Sequence, residues 1–414
     1  MRVLIAGAGI GGLTTALALA RRGIGVRVLE SARELAPLGV GINLLPHAMA
    51  VLAELGIAEE IAALGVRTAE LCYFNAQGQL IWREPRGLDA GYPVPQVSVH
   101  RGRLQLALFE LARARLGPDA LRTGCHLESF ANDGARAVRA VFTDRASGAS
   151  FEERADLLVA ADGIHSSVRR QLHPGEGAPR WNGNVLWRAT SRAQPFLTGR
   201  SMIMAGSRRR KFVAYPIEEP AADGLCLVNW IAELHRDSEA TPAREDWNRR
   251  GALADFLPAF EGFRFDWLDV PELIRSAEAV FEFPMVDRDP LARWTHGRAT
   301  LLGDAAHPMY PIGSNGASQA ILDARTLAAA LAQARDVDTA LERYESERRP
   351  ATAEIVLANR EHGPERVLDL AEERAPGGFA RVEDVFAPGE LAEIAARYKR
   401  VAGFARESGS EPAR

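Results

Sequence analysis

At 414 residues, the chain is long enough for two or three packed units of roughly 100–200 residues each. Hydrophobic residues at 47% and charged residues at 25% exclude wholesale disorder, and a net charge of -4 speaks against a nucleic-acid binder. Three cysteines (Cys72, Cys125, Cys226) without CxxC or metal-ligand spacing exclude a disulfide framework and read as reduced thiols of a cytoplasmic protein.

In chain order, residues 3–6 form a fully apolar run stopped by Gly7, the pattern of a buried parallel strand. Residues 12–22, rich in Ala and Leu and closed by Gly23, predict a helix. Residues 26–29 predict a second strand ending at Glu30, which completes a strand-helix-strand unit of about 30 residues. This start superficially imitates a secretory leader, but Gly7, Gly9, Gly11 and Gly12 interrupt it. No run reaches the roughly 20 apolar residues of a membrane span, so a cytoplasmic protein without membrane association is expected.

Further along, residues 103–116 have helical spacing, with Leu104, Leu108, Leu111 and Ala112 on one side. Residues 156–161 predict a strand that ends at Asp162-Gly163. From about residue 181 to 279 the character changes. Trp181, Trp187, Trp230, Trp247 and Trp267 fall there, among prolines and strand-like runs at 212–217 and 225–231. A sheet-containing domain inserted into the first is expected. The apolar strand pattern returns at 299–302, followed by Gly303-Asp304 and a long Ala/Leu helix over 317–334. Charged helical sequence then runs beyond Asp338 to a frayed tail at 407–414.

The strongest motif is Gly7-Ala8-Gly9-Ile10-Gly11-Gly12, a GxGxxG between strand and helix with Glu30 ending the next strand. Glycines let the backbone approach a pyrophosphate, the helix N-terminus supplies N–H donors and a positive dipole, and Glu30 accepts from a ribose. Dinucleotide binding follows; the alternative is a tight packing turn with a solvated Glu30. The motif alone does not separate NAD from FAD.

Two further segments do. Asp162-Gly163-Ile164-His165-Ser166-Ser167-Val168-Arg169 fits DGxxSxVR. Gly303-Asp304-Ala305-Ala306-His307-Pro308 fits GDAAHP and is followed by Pro311, Gly313, Asn315 and Gly316. With the N-terminal fingerprint, these segments resemble the FAD-dependent aromatic hydroxylases of the para-hydroxybenzoate hydroxylase group, the class A flavoprotein monooxygenases. The resemblance covers roughly residues 1–350. Within the group, residues 37–43, 285–290 and 315–320 look most similar to methylphenazine carboxylate hydroxylases of pyocyanin biosynthesis.

The resemblance implies an α/β fold: a Rossmann-like FAD-binding domain with an inserted β-sheet substrate domain and C-terminal helices. The expected division is 1–72, 98–180 and 280–345 for FAD, 73–97 and 181–279 for the substrate sheet, and 346–414 for the helical tail. It also implies FAD as cofactor, NADH or NADPH as transient co-substrate, and O2 as oxidant. One oxygen atom goes to an electron-rich aromatic or heteroaromatic small molecule, with a phenazine or a carboxylated arene as the candidates. The assembly is a monomer or homodimer. Alternatives are a same-fold epoxidase or dehydrogenase acting on a non-aromatic substrate, or a non-catalytic flavin-binding redox sensor.

Residue by residue, the resemblance places Gly7, Gly9, Ile10, Gly11, Gly12 and Glu30 at the adenosine end and Arg101 and Gln105 at the phosphates or ribose. It places Asp304 on a ribitol hydroxyl and Gly313, Asn315, Gly316 and Ala317 at the pyrimidine end of the flavin. Asp162 is a further cofactor candidate, with Arg169 as its possible ion-pair partner. The backbone of Pro311 is the catalytic candidate, bordering the point of oxygen transfer. Substrate candidates are Leu45, His47, Met204, Tyr215, Trp230 and Tyr310; ordinary core packing is the alternative for each. The basic run Arg208-Arg209-Arg210-Lys211 reads as a solvated hairpin turn, with attraction of an anionic substrate as the alternative. Neither a GxSxG elbow nor HExxH is present, so no hydrolase triad and no metal site are expected.

Overall fold

The computed structural model describes residues 1–36, 39–237 and 249–405. Trp247, Pro37, Leu38 and the 407–414 tail lie outside them. The apolar N-terminal run becomes the strand Arg2–Ala6, central in a six-stranded sheet. It pairs in parallel with Gly25–Leu29 on one side and Leu157–Ala160 on the other. Ala299–Leu301 continues the parallel order beyond Leu157–Ala160. Residues 3–6, Leu157–Ala160 and Ala299–Leu301 are buried along their length, which is why they read as apolar runs, whereas Gly25–Leu29 is buried only at Val28 and Leu29 and carries Arg27. Helix Ile10–Ala20 packs on the sheet against helices Arg101–Leu116 and Gly316–Gln333.

The second layer system is a seven-stranded sheet whose order is Phe281–Asp287, Arg180–Ala193, Cys226–His235, Arg210–Pro216, Ser201–Ser207, Glu70–Phe74, Leu80–Pro85. The boundaries expected at 72/73 and 279/280 therefore fall beside or inside its strands. Glu70–Phe74 starts before the first, and Phe281–Asp287 lies wholly beyond the second. Register explains the displacement. Met202 to Ala205 pair with Leu71 to Phe74, and Phe281 and Phe283 pair with Arg188 and Leu186, so both segments are drawn into the sheet by hydrogen bonding. The boundary at 345/346 likewise cuts the continuous helix Val337–Arg360.

The sheet has two differently covered faces. Trp187, Trp230, Phe212, Phe256 and Phe260 fill the outer one, beneath short 3-10 segments and helix Val270–Arg275. The inner face carries Met202, Met204, Val213 and Tyr215 and meets Val367, Leu368 and Phe386 of the C-terminal segment. Helix Glu390–Val401 follows and reaches back towards the first domain through Tyr398 and Phe404. Among the described residues, no helix is long and apolar enough to cross a membrane.

The glycine turn after the first strand has no room for a side chain at Gly7 or Gly12. Gly7 has φ 103°, and a Cβ there would lie 2.4 Å from the carbonyl oxygen of Ala161. A Cβ on Gly12 would lie 2.1 Å from the Gly7 oxygen. Gly12→Ala is expected to destabilise the protein by about 1–3 kcal/mol through overpacking. The purified variant should also retain less FAD. Denaturant unfolding and the flavin absorbance of the preparation check both.

Candidate active site

Between the glycine turn, the Gly303–Ala305 turn and the inner sheet face lies a cavity of about 360 Å³, within the range of about 300–1,000 Å³ usual for small-molecule sites. At its dinucleotide end it is lined by Gly9, Ile10 and Gly11 together with Arg101 and Gln105. Gln105 Nε2 donates to the Ala8 oxygen at 2.8 Å, which ties helix Arg101–Leu116 to the glycine turn. Glu30 accepts from the Ala8 amide at 2.6 Å and from the Ala32 amide at 2.7 Å. The acid therefore sits at the turn, held by backbone donors.

Across the cavity, Asp304 and Pro308 to Ile312 continue the wall, apart from Tyr310, and the N-terminus of helix Gly316–Gln333 closes it. The Gly303 turn stands on a buried polar network. Asp323 Oδ2 accepts from the Gly303 amide at 3.0 Å and meets His307 Nε2 at 2.6 Å, while Oδ1 accepts from Arg348 Nε at 2.7 Å. Burial favours the protonated acid, but His307 and Arg348 outweigh it and hold the Asp323 carboxyl down to about 2. Arg348 also donates to Gln319 Oε1 at 2.6 Å, extending the network along the helix.

The turn before that helix is strained. Gly313 has φ 67° and Ser314, a non-glycine residue, φ 59°. Tyr398 braces it from the C-terminal helix: its hydroxyl receives Asn315 Nδ2 at 2.8 Å and lies 2.7 Å from Asn359 Oδ1 and 3.2 Å from the Ile312 oxygen. A Cβ on Gly313 would lie 2.2 Å from that hydroxyl.

The sheet side is set by register. Tyr215 pairs with Asn229, Val213 with Ile231, and Ile231 with Arg188, so these side chains share the inner face. Arg188 lines the cavity. Its Nη2 donates to the Gly41 oxygen at 3.0 Å, its Nε is buried with no hydrogen-bond partner, and no carboxylate pairs with it among the described residues. Burial lowers the Arg188 pKa from its ordinary value. Burial also pushes the neighbouring Tyr215 phenol up to about 12, against the opposing pull of Arg188.

Of the expected cofactor residues, Gly9, Ile10, Gly11, Arg101, Gln105, Asp304, Asn315, Gly316 and Ala317 line the cavity, as does Pro311. Gly7 and Gly12 act instead as the packed floor of the turn, and Gly313 faces Tyr398. Asp162 lies just outside the lining, between Ala161 and Gly163. It accepts from the Ser167 amide at 2.8 Å, its Oδ1 is buried without a partner, and burial raises its pKa. Arg169 does not pair with it. Arg169 donates to the Ala305 and Ala306 oxygens at 3.0 and 2.8 Å and to Glu176, linking the two motifs.

Of the substrate candidates, Met204 and Tyr215 line the cavity, and Leu45 lines a smaller adjoining one. Three are corrected. Trp230 points to the outer face, because its neighbours Asn229 and Ile231 point inward, and its Nε1 donates to Ser191 Oγ at 2.9 Å. Tyr310 packs among Leu186, Phe283 and Met285 behind the wall. His47 stacks on Phe404 at 5.4 Å, and burial, with Arg348 and Arg325, lowers its pKa to about 3. In the basic run, Arg208, Arg209 and Arg210 are exposed, but Lys211 is buried and lines the cavity with Glu233 and Glu365. Sequence reasoning passed over Arg188, Glu233 and Glu365. The available signal was a charge two residues after an apolar one, on the same strand face, at Arg188 after Leu186 and at Glu233 after Ile231.

The chain matches the FAD binding domain family over residues 1–249 and 277–359. It is 46% identical over 365 residues to phenazine 1,6-dicarboxylic acid hydroxylase of Lysobacter antibioticus, covering 87% of this chain and 89% of that one. It is 32% identical over 394 residues to 3-hydroxybenzoate 6-hydroxylase of Polaromonas naphthalenivorans, covering 91% and 93%. HpxO of Klebsiella pneumoniae, solved with FAD and uric acid, shares the fold with a TM-score of 0.73 at 24% identity, over 97% of this chain and 93% of that one. The residues present suit the cofactor. Gly9 lines the cavity and a Cβ there would meet nothing within 4 Å, so its backbone is open to an approaching group. The chain belongs to the FAD binding domain family and is a flavin-dependent enzyme that hydroxylates an aromatic substrate.

Proposed function

We propose that the substrate is a planar heteroarene carrying a carboxylate, of the phenazine class, and that NADH or NADPH is the transient reductant. The observation that carries this reading is Arg188, a cation in the cavity wall whose Nε is unpartnered and with which no carboxylate pairs among the described residues. A guanidinium is a planar fork that matches a carboxylate, and in a desolvated site the pair is strong. The relative at 46% identity is named for a phenazine dicarboxylic acid, which supports the same class. Met202, Met204, Val213 and Ile231 supply apolar surface to flat rings beside that charge.

When bound, FAD supplies hydride acceptance and the activation of O2, of which one atom enters the ring and the other leaves as water. The chain's own residues bind and orient. Gly9 to Gly11 would offer backbone to the pyrophosphate, and Glu30, held at the turn by the Ala8 and Ala32 amides, would accept from adenosine ribose hydroxyls through its remaining lone pairs. Arg101 and Gln105, which line the cavity, would hold the phosphates, and Asp304 would hold a ribitol hydroxyl. Amides at Asn315 to Ala317, at the positive end of an 18-residue helix, favour negative charge at the flavin pyrimidine. Pro311 borders the substrate side. The FAD unit comprises the six-stranded sheet and its helices; the seven-stranded sheet with the C-terminal segment forms the substrate unit.

Two measurements test this reading. Asp304→Ala should weaken FAD about tenfold, the loss of one or two hydrogen bonds, by fluorescence titration of the apoprotein. Unchanged FAD affinity contradicts the ribitol contact. Phenazine-1-carboxylate should bind the holoenzyme at least about thirtyfold more tightly than unsubstituted phenazine. Equal affinities contradict a carboxylate at Arg188.

A further inference from the structure

A second charged cluster faces the cavity from its sheet end. Lys211 Nζ lies 2.9 Å from Glu233 Oε2 and also contacts Glu365 Oε2. All three side chains are buried and all three line the cavity. Register places Lys211 directly opposite Glu233 on the inner face, while Glu365 arrives from the C-terminal segment just before helix Arg366–Arg374. Two carboxylates thus flank one ammonium. If both were ionised, the cluster would carry a buried net charge of minus one, an arrangement that a proton relieves.

The hydrogen bonds identify the carboxylate that takes it. Glu233 is fully engaged, with Oε1 accepting from Asn184 Nδ2 at 2.6 Å and Oε2 on the ammonium. Glu365 has only the ammonium, through Oε2; among the described residues nothing hydrogen-bonds its Oε1. We propose that Glu365 holds a proton at this wall of the cavity and, as the neutral acid, donates a hydrogen bond to a second carboxylate of the substrate. Arg188 then takes the first carboxylate as an ion pair, and the cluster takes the other as an acceptor.

The surroundings agree. Burial raises the Glu365 pKa, and Lys211 opposes it only in part because it is shared with Glu233. Burial works against the Lys211 charge too, but the two carboxylates outweigh it and hold the ammonium above its ordinary pKa. His362 also faces Glu365 from the same turn, with its Nδ1 2.7 Å from Asp369 Oδ2 of the following helix. From the strand Glu70–Phe74 and from the C-terminal helix come the phenols of Tyr73 and Tyr398, both raised by burial and so neutral. The sign follows. A carboxyl with a raised pKa keeps its proton at lower pH and loses it as pH rises, leaving a net negative cluster that repels an anion.

This inference rests on the carboxylated-arene reading above, and the test separates the two. The holoenzyme is titrated with phenazine-1,6-dicarboxylate and phenazine-1-carboxylate between about pH 6 and pH 8, where both ligands stay ionised. Wild-type affinity for the dicarboxylate should fall about tenfold across this range, and for the monocarboxylate less than about twofold. Glu365→Gln keeps an N–H donor at every pH and should bind the dicarboxylate with a flat profile near the low-pH value. A Gln variant that retains the wild-type slope, or equal slopes for both ligands, overturns the proposal. A second readout needs no ligand: infrared spectra should show a protonated-carboxyl band at about pH 6 in wild type that Glu365→Gln lacks. Absence of that difference also overturns it. Failure of both phenazines to bind while the band persists rejects the substrate reading and supports the proton on Glu365.

Discussion

Arg188→Met is expected to weaken binding of phenazine-1-carboxylate by about a hundredfold, or about 2.7 kcal/mol, the scale of losing a desolvated charge-assisted pair. Affinity for unsubstituted phenazine and for FAD should change little, because Arg188 lies on the sheet face and not on the glycine turn. Stability should hold or rise. A buried cation with an orphaned Nε costs folding free energy, which a methionine of similar length avoids. Arg188→Lys should recover part of the affinity, since it restores charge without the planar fork. Equilibrium titration and thermal unfolding of the three proteins check this. A parallel loss for phenazine and its carboxylate would show that the residue shapes the cavity instead of reading an anion.

Asp323→Ala should be the most destabilising change outside the apolar core, by about 3–5 kcal/mol, because it leaves Arg348 and His307 buried without their acid. FAD affinity should fall with it, since the Gly303 amide loses its acceptor and Asp304 stands on that turn. The same acid gives a pH signature. Its folded pKa of about 2 lies below the ordinary 3.8, so its contribution is full above about pH 4 and is lost as pH falls through about 2. Denaturant unfolding from neutral to acidic pH should therefore show a fall in wild type, over that window, that is smaller in Asp323→Asn.

Neither Arg188 nor Asp323 belongs to a motif, so neither was legible in the sequence. The dinucleotide end was readable because its requirements are local. A parallel strand buried on both faces, a turn that only glycine fits and a helix start follow one another within about 30 residues. Asp304 and the helix at 316–333 were readable for the same reason. The sheet face was not. Whether Trp230 or Ile231 faces the cavity depends on pairing with Arg210–Pro216 and Arg180–Ala193, and a shift of one residue reverses every side chain. The aromatic residue drew attention, while the apolar and charged neighbours of opposite parity form the wall. Lys211 was read with the exposed arginines of its turn, although register brings it opposite Glu233. Glu365 and Tyr398 belong to a C-terminal segment without motifs, which acquires its place through Lys211 and through the strained turn at Gly313 and Ser314.

The most direct test is turnover of phenazine-1-carboxylate by FAD-loaded protein with NADH or NADPH under isotopically labelled O2. Reductant oxidation is expected to be matched by a product carrying one labelled oxygen atom, with that product falling about a hundredfold in Arg188→Met at low substrate. Reductant oxidation that yields only peroxide with every carboxylated heteroarene, or equal product formation by the variant, would contradict it.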